Sequence, residues 1–370
     1  VARFADDVAA WETVSELRGR LGRVHEAQTA LRRAVDLRPD RAALWARLAR
    51  TPLAQQDLEA RAYRVGECLQ VVSAFQGEQQ PSAVQGRIGV QHHHAHVVSA
   101  MAENCIDGPV IGLAFDGTGY GSDGTIWGGE VLVGDEQKFD RAAHLAYLPM
   151  PGSTAAIKQP WRMGLSYLYA AYGDALADLP LPFLCGIEDA RAAIILEMIK
   201  KRINAPLTSS LGRLFDGVAA LAGLRNEVAF EGQAAMELEM MAASAADHSY
   251  DCHWPAGAPV QIPTAPIIRA VVEDLLQGTA PAIISARFHL TLVRLFTDLC
   301  DQLRRDTGLT RVVLSGGVFQ NAVLLGGLMR ALENKTFKVY THKQVPTNDG
   351  GLSLGQAIIA AAMANNSQTA

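Results

Sequence analysis

Residues 110–133 read VIGLAFDGTGYGSDGTIWGGEVLV, and this stretch decides the fold class. Residues 110–115 are a short continuous apolar run, which is typical of a buried strand. A second strand is predicted around residues 125–133, so the glycine-rich residues between the two runs form a hairpin. A hairpin between strands differs from the strand-to-helix loop of a Walker or Rossmann site. The chain from about residue 87 onward is therefore predicted to be α/β, with a different kind of anion site.

The hairpin carries the sequence DGTG at its start. Closely spaced glycines let backbone N–H groups converge into an anion-binding concavity. An aspartate beside them can hold Mg²⁺ or a metal-bound phosphate oxygen. The candidate phosphate-binding residues are Asp116, Gly117, Thr118 and Gly119. Glycine-rich hairpins are common, so the motif alone equally allows a purely structural turn.

Four of the ten histidines fall within residues 92–96, which read HHHAH. The residues that follow are predicted to be helical, which places His92 and His96 at i and i+4 on one helical face. Imidazole suits iron, zinc, nickel or copper, and a carboxylate from elsewhere would complete the ligand set. Asp349, in the sequence TNDGGL, is the candidate carboxylate, with helix capping as its alternative role. Asn348 is the weaker ligand, because its amide is neutral. The alternative is that some of these histidines are merely packed or solvated.

Residues 315–321, SGGVFQN, follow a predicted strand at 312–315 and open a helix. Gly316 and Gly317 at such a junction allow close approach of a nucleotide, whose phosphates the helix N-terminus favours. Asn321 is then placed to bond a sugar or a base, although a tight strand–helix turn explains the motif equally well. Asp216 and Glu237 are carboxylates that could bind ribose hydroxyls or simply be solvated.

Lys158 and Arg162 stand four residues apart in GSTAAIKQPWR. Two cations suit a small anionic substrate, since an arginine can clamp an oxyanion with two hydrogen bonds. The alternative is a pair of isolated surface cations.

Composition narrows the class of protein. With 370 residues, 49% hydrophobic, 19% charged and a net charge of −5, the chain fits a compact globular enzyme of two or three domains with no footprint for nucleic acid. No apolar run reaches the ~18 residues of a membrane span, and no signal-peptide core stands at the start. Five scattered cysteines without a CxxC pair argue against a disulfide framework and a zinc finger, so a reducing cytoplasm is expected.

Two parts of the chain have distinct helical patterns. Residues 7–50 alternate small and large apolar residues at helical spacing, which predicts a tetratricopeptide-like hairpin in segment 1–60 that packs on the rest of the chain or on a partner. Further helices are predicted near residues 161–173, 188–202, 211–223, 267–278, 285–306 and 352–364. A last strand is predicted at 337–340.

The order of the motifs is more specific than any one of them. HHHAH, AFDGTGYGSDGTIWGGE, AAIKQPWRMGLSYL, RLFDGVAAL, FEGQAAMELE, ARFH, LSGGVFQN and NDGGLSLGQA together resemble the C-terminal domain of the hydrogenase-maturation carbamoyltransferases, the HypF family, over about residues 88–364. The resemblance implies an α/β, actin-like (ASKHA) nucleotide-binding fold of two lobes. Lobe I, at 61–210, would carry the metal and the phosphate hairpin, and lobe II, at 211–366, the adenosine site.

The resemblance also implies roles for individual residues. The metal triad that holds the nucleotide phosphate, with iron, zinc or magnesium, would be His92, His96 and Asp349. The phosphate hairpin would be Asp116 with Gly117, Thr118 and Gly119. The ribose-binding positions would be Asp216, Gly232 and Glu237, and the adenosine side Gly316, Gly317 and Asn321. The residues facing the carbamoyl group would be Lys158, Arg162 and His289.

The implied reaction uses ATP and carbamoyl phosphate to form carbamoyl-adenylate. The carbamoyl group then passes to the C-terminal cysteine of a HypE-like maturation partner, toward the cyanide ligands of a nickel–iron hydrogenase. A homodimer is compatible with this reading. Two alternatives stay open, a small-molecule O-carbamoyltransferase and a non-catalytic ATP-binding adaptor.

The sequence also departs from the family pattern. The acylphosphatase domain, paired zinc fingers and adenylate-forming domain of the full-length family are not visible in it. Ser153-Thr154 and Lys158-Gln159 stand where Gly-Asp and Arg-Glu are expected.

Overall fold

The structure, a computed structural model, describes residues 88–242 and 246–367. The predicted helical segment 1–60 and the first part of predicted lobe I, up to residue 87, lie outside these residues. The compact unit that carries the site spans Gly89–Gly355.

The helices and strands follow one another in this order: α1 (His92–Glu103), β1 (Val110–Tyr120), β2 (Ile126–Gly134), β3 (Phe139–Leu145), β4 (Leu148–Pro149), α2 (Thr154–Lys158), α3 (Trp161–Tyr172), a 3₁₀ helix (Gly173–Asp178), α4 (Pro182–Cys185), α5 (Asp189–Lys201), β5 (Leu207–Thr208), α6 (Leu211–Leu221), α7 (Gln233–Met241), β6 (Val260–Ile262), α8 (Ala265–Leu276), α9 (Pro281–Thr307), β7 (Arg311–Ser315), a 3₁₀ helix (Gly317–Gln320), α10 (Ala322–Asn334), β8 (Lys338–Tyr340), a 3₁₀ helix (Asp349–Gly351) and α11 (Leu352–Ser367). The helices and strands predicted within the described residues are confirmed to within a few residues at their ends, except that β1 continues to Tyr120, five residues past its predicted end.

One mixed sheet of eight strands forms the centre of the described unit. Its main path runs β4-β5-β2-β1-β7-β8, and β3 pairs with β2 and with β6. Strand β1 is antiparallel to β2 but parallel to β7, and β7 is parallel to β8. Residues 110–116 of β1 are all buried, as expected for a central strand covered on both faces.

The central sheet is built from strands on both sides of residue 210. Strands β1 and β2 precede that residue and β7 and β8 follow it, yet all four belong to the same sheet. Parallel pairing needs a crossover connection, and here the crossover includes the helices between β2 and β7. The predicted division into lobes at residue 210 stays a prediction.

Helix α1 lies directly against β1. A Cβ atom at Gly112 would lie 2.5 Å from a methyl group of Val97, so the glycine permits this close packing. The short loop between the two elements makes them antiparallel, which brings the start of α1 to the end of β1. Because β1 and β7 are parallel, the loop after β7 opens at the same edge. The histidines of α1, the end of β1 and the glycines after β7 therefore meet at one place.

Two further expectations can be compared with the described residues. Among the cysteines of the described residues, Cys185, Cys252 and Cys300 are free thiols. Within residues 88–242 and 246–367, no helix has the length and apolar character needed to cross a membrane.

Candidate metal centre and adjoining cavity

Four side chains converge at the meeting point of α1, β1 and the last 3₁₀ helix. The Nε2 atoms of His92 and His96 lie 3.1 and 3.3 Å from Oδ2 of Asp116. The same two nitrogens lie 3.5 and 3.4 Å from Oδ1 of Asp349. One ligand atom from each residue lies within 4.8 Å of the other three. The structure thus brings the predicted triad together and adds Asp116, which sequence reasoning placed in the phosphate hairpin and not among the ligands of the histidine site.

The local sequence explains how the two histidines come to share one face. Gln91 caps α1 by accepting a hydrogen bond from the backbone N–H of His94, at 2.8 Å. The helix then stacks the rings of His92 and His96 with their centroids 4.9 Å apart. Gly119 passes beside these rings, and a Cβ atom there would lie 2.6 Å from His92 and 2.4 Å from His93. Gly119 therefore makes room for the imidazoles, a role that the predicted phosphate site did not include.

The DGTG sequence lies within a strand and not in the turn. The register between β1 and β2 shifts between Phe115 and Gly119, which marks a bulge in β1. The turn itself comes later, where the N–H of Gly121 donates to the carbonyl of Thr125. The predicted hairpin is confirmed, but its glycine-rich start is the bulged end of β1. The bulge directs the Asp116 carboxylate toward the histidines.

The charges of the four side chains balance one another. Burial opposes a charge on His92, but hydrogen bonds with Asp116 and Asp349 outweigh it and raise the pKa of His92 to about 9. The pKa of His96 is likewise raised, although its burial is deeper. Burial would raise the pKa of Asp116, yet hydrogen bonds with the histidines hold it well below its usual range. The pKa of Asp349 is also lowered by its hydrogen bonds with both histidines.

This donor set fits a divalent transition metal. Two imidazole nitrogens and two carboxylate oxygens suit iron or zinc better than magnesium, which prefers an all-oxygen shell. Binding would displace the protons that the histidines otherwise hold between the carboxylates. Asp116 is 11% exposed and Asp349 is 65% exposed, so Asp349 stands on the open side of the cluster.

A cavity of about 590 Å³ adjoins the cluster. This volume is typical of sites for nucleotide-sized ligands. The predicted residues that line it are Asp116, Gly117, Thr118, Asp216, Gly232, Gly317, Asn321 and Asp349. Asn348, the weaker candidate ligand, and Glu231 also line it, together with two residues that sequence reasoning missed, Arg213 and Glu239. Most of the predicted phosphate, ribose and adenosine residues thus surround one space, and the metal cluster stands at its edge.

The start of α6 lies against the bulged end of β1. Ser210 caps α6 by accepting from the N–H of Arg213, and its hydroxyl donates toward the carbonyls of Asp116 and Gly117 at 2.8 and 2.7 Å. Gly212 makes the contact possible, since a Cβ atom there would lie 2.9 Å from Cα of Gly117. The helix N-terminus is therefore held beside the predicted phosphate residues, where it favours negative charge.

Arg213 and Asp216 form a buried ion pair in the cavity wall. The Arg213 Nη2 to Asp216 Oδ2 distance is 2.8 Å, and the two side chains are only 2% and 3% exposed. Burial raises the pKa of Asp216 to about 6, although Arg213 opposes the shift. Among the lining residues in the described part of the chain, Arg213 carries the sole positive charge. It was missed because it reads as an ordinary arginine in a helix.

The predicted adenosine residues are placed by contacts behind the cavity. Asn321 caps α10 through its Oδ1, which accepts from the N–H of Leu324 at 2.8 Å. Its Nδ2 lies 2.9 Å from Nε2 of His289, whose Nδ1 lies 2.8 Å from the carbonyl of Ser285. His289 is buried behind Asn321 and is not among the residues that line the cavity. Gly316 is not among the lining residues, and its N–H donates to the carbonyl of Thr347.

Three predicted residues also stand apart from the cavity lining. Arg162 donates from Nε to Oε1 of Gln159 at 2.6 Å, at the start of α3. Lys158 is the last residue of α2. Glu237 forms an ion pair with Arg225, which donates two hydrogen bonds to its carboxylate. The predicted roles of Lys158 and Arg162 at the carbamoyl group, and of Glu237 at the ribose, stay predictions.

Known proteins are similar to this chain in sequence and in fold. Residues 112–356 match the family model described as Carbamoyltransferase, Kae1-like Domain, second subdomain. The chain is 38% identical over 302 residues to Carbamoyltransferase HypF2 of Cupriavidus necator, covering 75% of this chain and 37% of that protein. It is 34% identical over 283 residues to the Carbamoyltransferase HypF homolog of the same organism, covering 74% of this chain and 71% of that protein.

Two solved structures extend the comparison to three dimensions. A crystal structure of full-length HypF in the phosphate- and nucleotide-bound form superposes with a TM-score of 0.73 at 45% identity, covering 76% of this chain and 37% of that one. The crystal structure of T. kodakarensis HypF gives a TM-score of 0.67 at 31% identity, covering 75% and 37%. The mixed α/β fold is therefore that of the HypF structures.

The chain belongs to the HypF carbamoyltransferase family, as the order of its motifs predicted. It spans just over a third of the length of full-length HypF proteins that it matches, in the part that holds the cavity and the histidine–aspartate cluster.

Proposed function

We propose that the chain is a carbamoyltransferase that uses ATP and carbamoyl phosphate. The observation that carries this proposal is the four-residue cluster of His92, His96, Asp116 and Asp349 at the edge of a nucleotide-sized cavity, in a member of the HypF family. A full-length relative crystallised with phosphate and nucleotide supports the assignment of the cavity to a nucleotide.

The fold is consistent with this use. The antiparallel strands β1, β2 and β3, extended by the parallel strands β7 and β8, would form one half of the proposed actin-like (ASKHA) fold. Such sheets bind ligands beyond the carboxyl ends of their parallel strands. In this chain that edge is where Asp116 and Gly317 line the cavity.

Separate groups of residues would bind the metal, the phosphate and the nucleoside. His92, His96, Asp116 and Asp349 would hold a divalent metal, which when bound offsets negative charge on a phosphate. The bulged glycines of β1 and the N-terminus of α6 favour the same phosphate, and Gly317 leaves room for the nucleoside. Asp216 and Asn321 line the cavity, where Asp216 would bind the ribose hydroxyls and Asn321 would face the base.

The proposed chemistry proceeds in two stages. Water first cleaves the phosphorus–oxygen bond of carbamoyl phosphate, which releases carbamate and inorganic phosphate. An oxygen of the carbamate then attacks the α-phosphate of ATP, the bond from that phosphorus to the β-phosphate oxygen breaks, and carbamoyl-adenylate and pyrophosphate form. A cysteine thiolate, at the C-terminus of a HypE-like partner, then attacks the carbamoyl carbon. The bond from that carbon to the phosphate oxygen breaks, and AMP departs with the electron pair. The thiocarbamate would serve cyanide-ligand synthesis for a nickel–iron hydrogenase in the cytoplasm.

A second candidate is a module that binds the nucleotide but does not activate carbamate. It is favoured by one observation, since Lys158, Arg162 and His289 do not line the cavity. In that case the carbamoyl-adenylate would come from another protein or domain, and this chain would only bind it and transfer its carbamoyl group.

The test is carbamoyl-phosphate-dependent exchange of labelled pyrophosphate into ATP by the purified chain with Zn²⁺ or Fe²⁺. Exchange, followed by carbamoylation of a partner protein at its terminal cysteine, supports the first proposal. ATP binding and partner carbamoylation only when a full-length HypF supplies the adenylate would support the second. His96→Ala should abolish the activity, while His253→Ala, at an exposed histidine, should not. Absence of ATP binding by the wild-type chain would overturn both.

A further inference from the structure

One face of helix α1 carries more than the two predicted metal ligands. His92, His96, Ser99 and Glu103 are spaced by four, three and four residues, so they form a single stripe along the helix. The first two residues belong to the metal cluster. The last two contact the segment of chain that delivers the fourth ligand, Asp349.

Asp349 depends on outside contacts for its position. Its side chain is 65% exposed, and it sits in a three-residue 3₁₀ helix after a loop without regular structure, residues 341–348. A carboxylate on such a loop would sample many positions if nothing held the loop. Its Oδ1 nevertheless lies within 3.5 Å of both histidine nitrogens.

Glu103 holds the loop through four hydrogen bonds. Its Oε1 accepts from the backbone N–H groups of Lys343, Gln344 and Val345 at 3.0, 2.6 and 3.3 Å. Its Oε2 lies 2.9 Å from Nδ1 of His342. Burial alone would raise the pKa of Glu103, but these hydrogen bonds outweigh it and lower the pKa, so the carboxylate stays ionised.

Two more contacts fix the loop on either side of Asp349. Ser99 donates from Oγ to the carbonyl of Gly351 at 2.7 Å, just after Asp349. The Nε2 of His342 lies 2.9 Å from Oγ of Ser315, at the end of β7. Helix α1 therefore holds the loop before and after the ligand, and His342 ties it to the central sheet.

The order Ser315, His342, Glu103 is that of a serine-hydrolase triad, with both hydrogen bonds at 2.9 Å. Ser315 is completely buried, however, so no substrate can reach its hydroxyl. These three residues therefore hold the loop in place, and Ser315 does not act as a nucleophile.

We propose that Glu103 and Ser99 are positioning residues for the metal site, which set Asp349 at the correct distance from His92 and His96. The inference rests on the proposed metal site. Neither residue would touch the ion, so both act through the loop. Outer contacts of this kind typically change metal affinity by about 10- to 100-fold.

The experiment compares Glu103→Gln with a matched control, Glu333→Gln, at an exposed glutamate on α10. The glutamine keeps the size of the side chain but presents an amide to a cluster of N–H donors. Zn²⁺ affinity is measured by competition with a chromogenic chelator, and hydrogen exchange is followed at the amides of residues 343–345 in the metal-free protein. The melting temperature, measured alongside, separates a local effect from a global one.

We expect Glu103→Gln to weaken Zn²⁺ binding by about 10- to 100-fold and to speed exchange at these amides at least about tenfold, with Glu333→Gln unchanged. Wild-type affinity or wild-type exchange rates in Glu103→Gln would overturn the inference. If the wild-type chain binds no Zn²⁺ more tightly than His96→Ala, the metal site fails, and the exchange rates alone still decide whether Glu103 holds the loop. Should Glu103→Gln not fold, Ser99→Ala replaces it, with a loss of Zn²⁺ affinity of about tenfold expected and an unchanged affinity refuting the inference.

Discussion

Replacing Asp116 by asparagine should separate the metal role that the structure gives this residue from the phosphate role inferred from its motif. The change is chemically narrow. Oδ1 of Asp116 accepts from the N–H of Gly117 at 2.8 Å, and the amide oxygen of asparagine can keep that bond. Oδ2, which faces both histidines, becomes an NH₂ group that can neither accept their hydrogen bonds nor ligate a cation.

The expected size of the effect follows from the distances. At 3.1 Å, the attraction between Asp116 and a protonated His92 is about 5 kcal/mol at an effective dielectric constant of 20. Burial removes part of this, and the pKa of about 9 for His92 corresponds to a net of about 3 kcal/mol, which Asp116 shares with Asp349. Asp116→Asn should therefore lower the pKa of His92 by about 1 to 2. Affinity for a divalent ion should fall by about 100-fold or more, because a charged ligand is lost.

The assay is a histidine NMR titration of the metal-free protein between pH 5 and 10, together with Zn²⁺ competition. Asp123→Asn is the matched control, because Asp123 lies in the same hairpin but is bound by Trp127 and Thr125 instead of histidines. If Asp116→Asn titrates like Asp123→Asn and binds Zn²⁺ with wild-type affinity, Asp116 does not belong to the metal set. The phosphate role predicted from the motif would then be the one that remains.

Three further predictions follow from the same geometry. The metal-free protein holds a proton on His92 up to a pKa of about 9, and the pKa of His96 is raised as well. Its Zn²⁺ affinity should therefore rise by at least about tenfold per pH unit between pH 7 and 9, as measured by competition at several pH values, and a flat profile would contradict this. Gly316→Ala should lower the free energy of unfolding in urea by about 3 kcal/mol, because φ is +108° and the new Cβ atom would lie 2.2 Å from a backbone oxygen of β1. The control, Gly308→Ala, should lower it by about 1 kcal/mol, because φ is +76° but the space around the new Cβ atom is open. His289→Phe should lower the free energy of unfolding by about 1–3 kcal/mol, because Asn321 loses a buried hydrogen-bond partner. Loss of carbamoyl transfer at unchanged stability would instead place His289 at the substrate.

Patterns local in sequence were the ones that could be predicted. The spacing of His92 and His96 follows from helical periodicity, and the strands at 110–115 and 312–315 follow from their apolar runs. A site with two histidines still needs a carboxylate to complete its ligand set. Asp349 was found because it is an acidic residue just before a predicted helix. The resemblance in motif order supplied the family, which the comparisons confirm.

The missed features depend on packing between distant parts of the chain. Asp116 joins the histidines because α1 lies against β1, which no local pattern around residue 116 reveals. The contact from Glu103 to His342 spans 239 residues of sequence. The parallel pairing of β1 with β7 could not be predicted either, because it leaves no signature in either strand.

The burial of α1 explains why one helix can organise the site. A helix with a single apolar face would leave its opposite side to solvent, yet every residue from His93 to Met101 is buried. Val97 packs on β1, so the stripe of His92, His96, Ser99 and Glu103 must turn toward the end of the sheet and the loop before α11. Polar groups buried in this way need partners, and the carboxylates and the loop supply them. The contacts that satisfy these buried polar groups therefore also position the two imidazoles and the loop that carries Asp349 relative to one another. Asp349, whose side chain is 65% exposed, remains the ligand nearest to solvent.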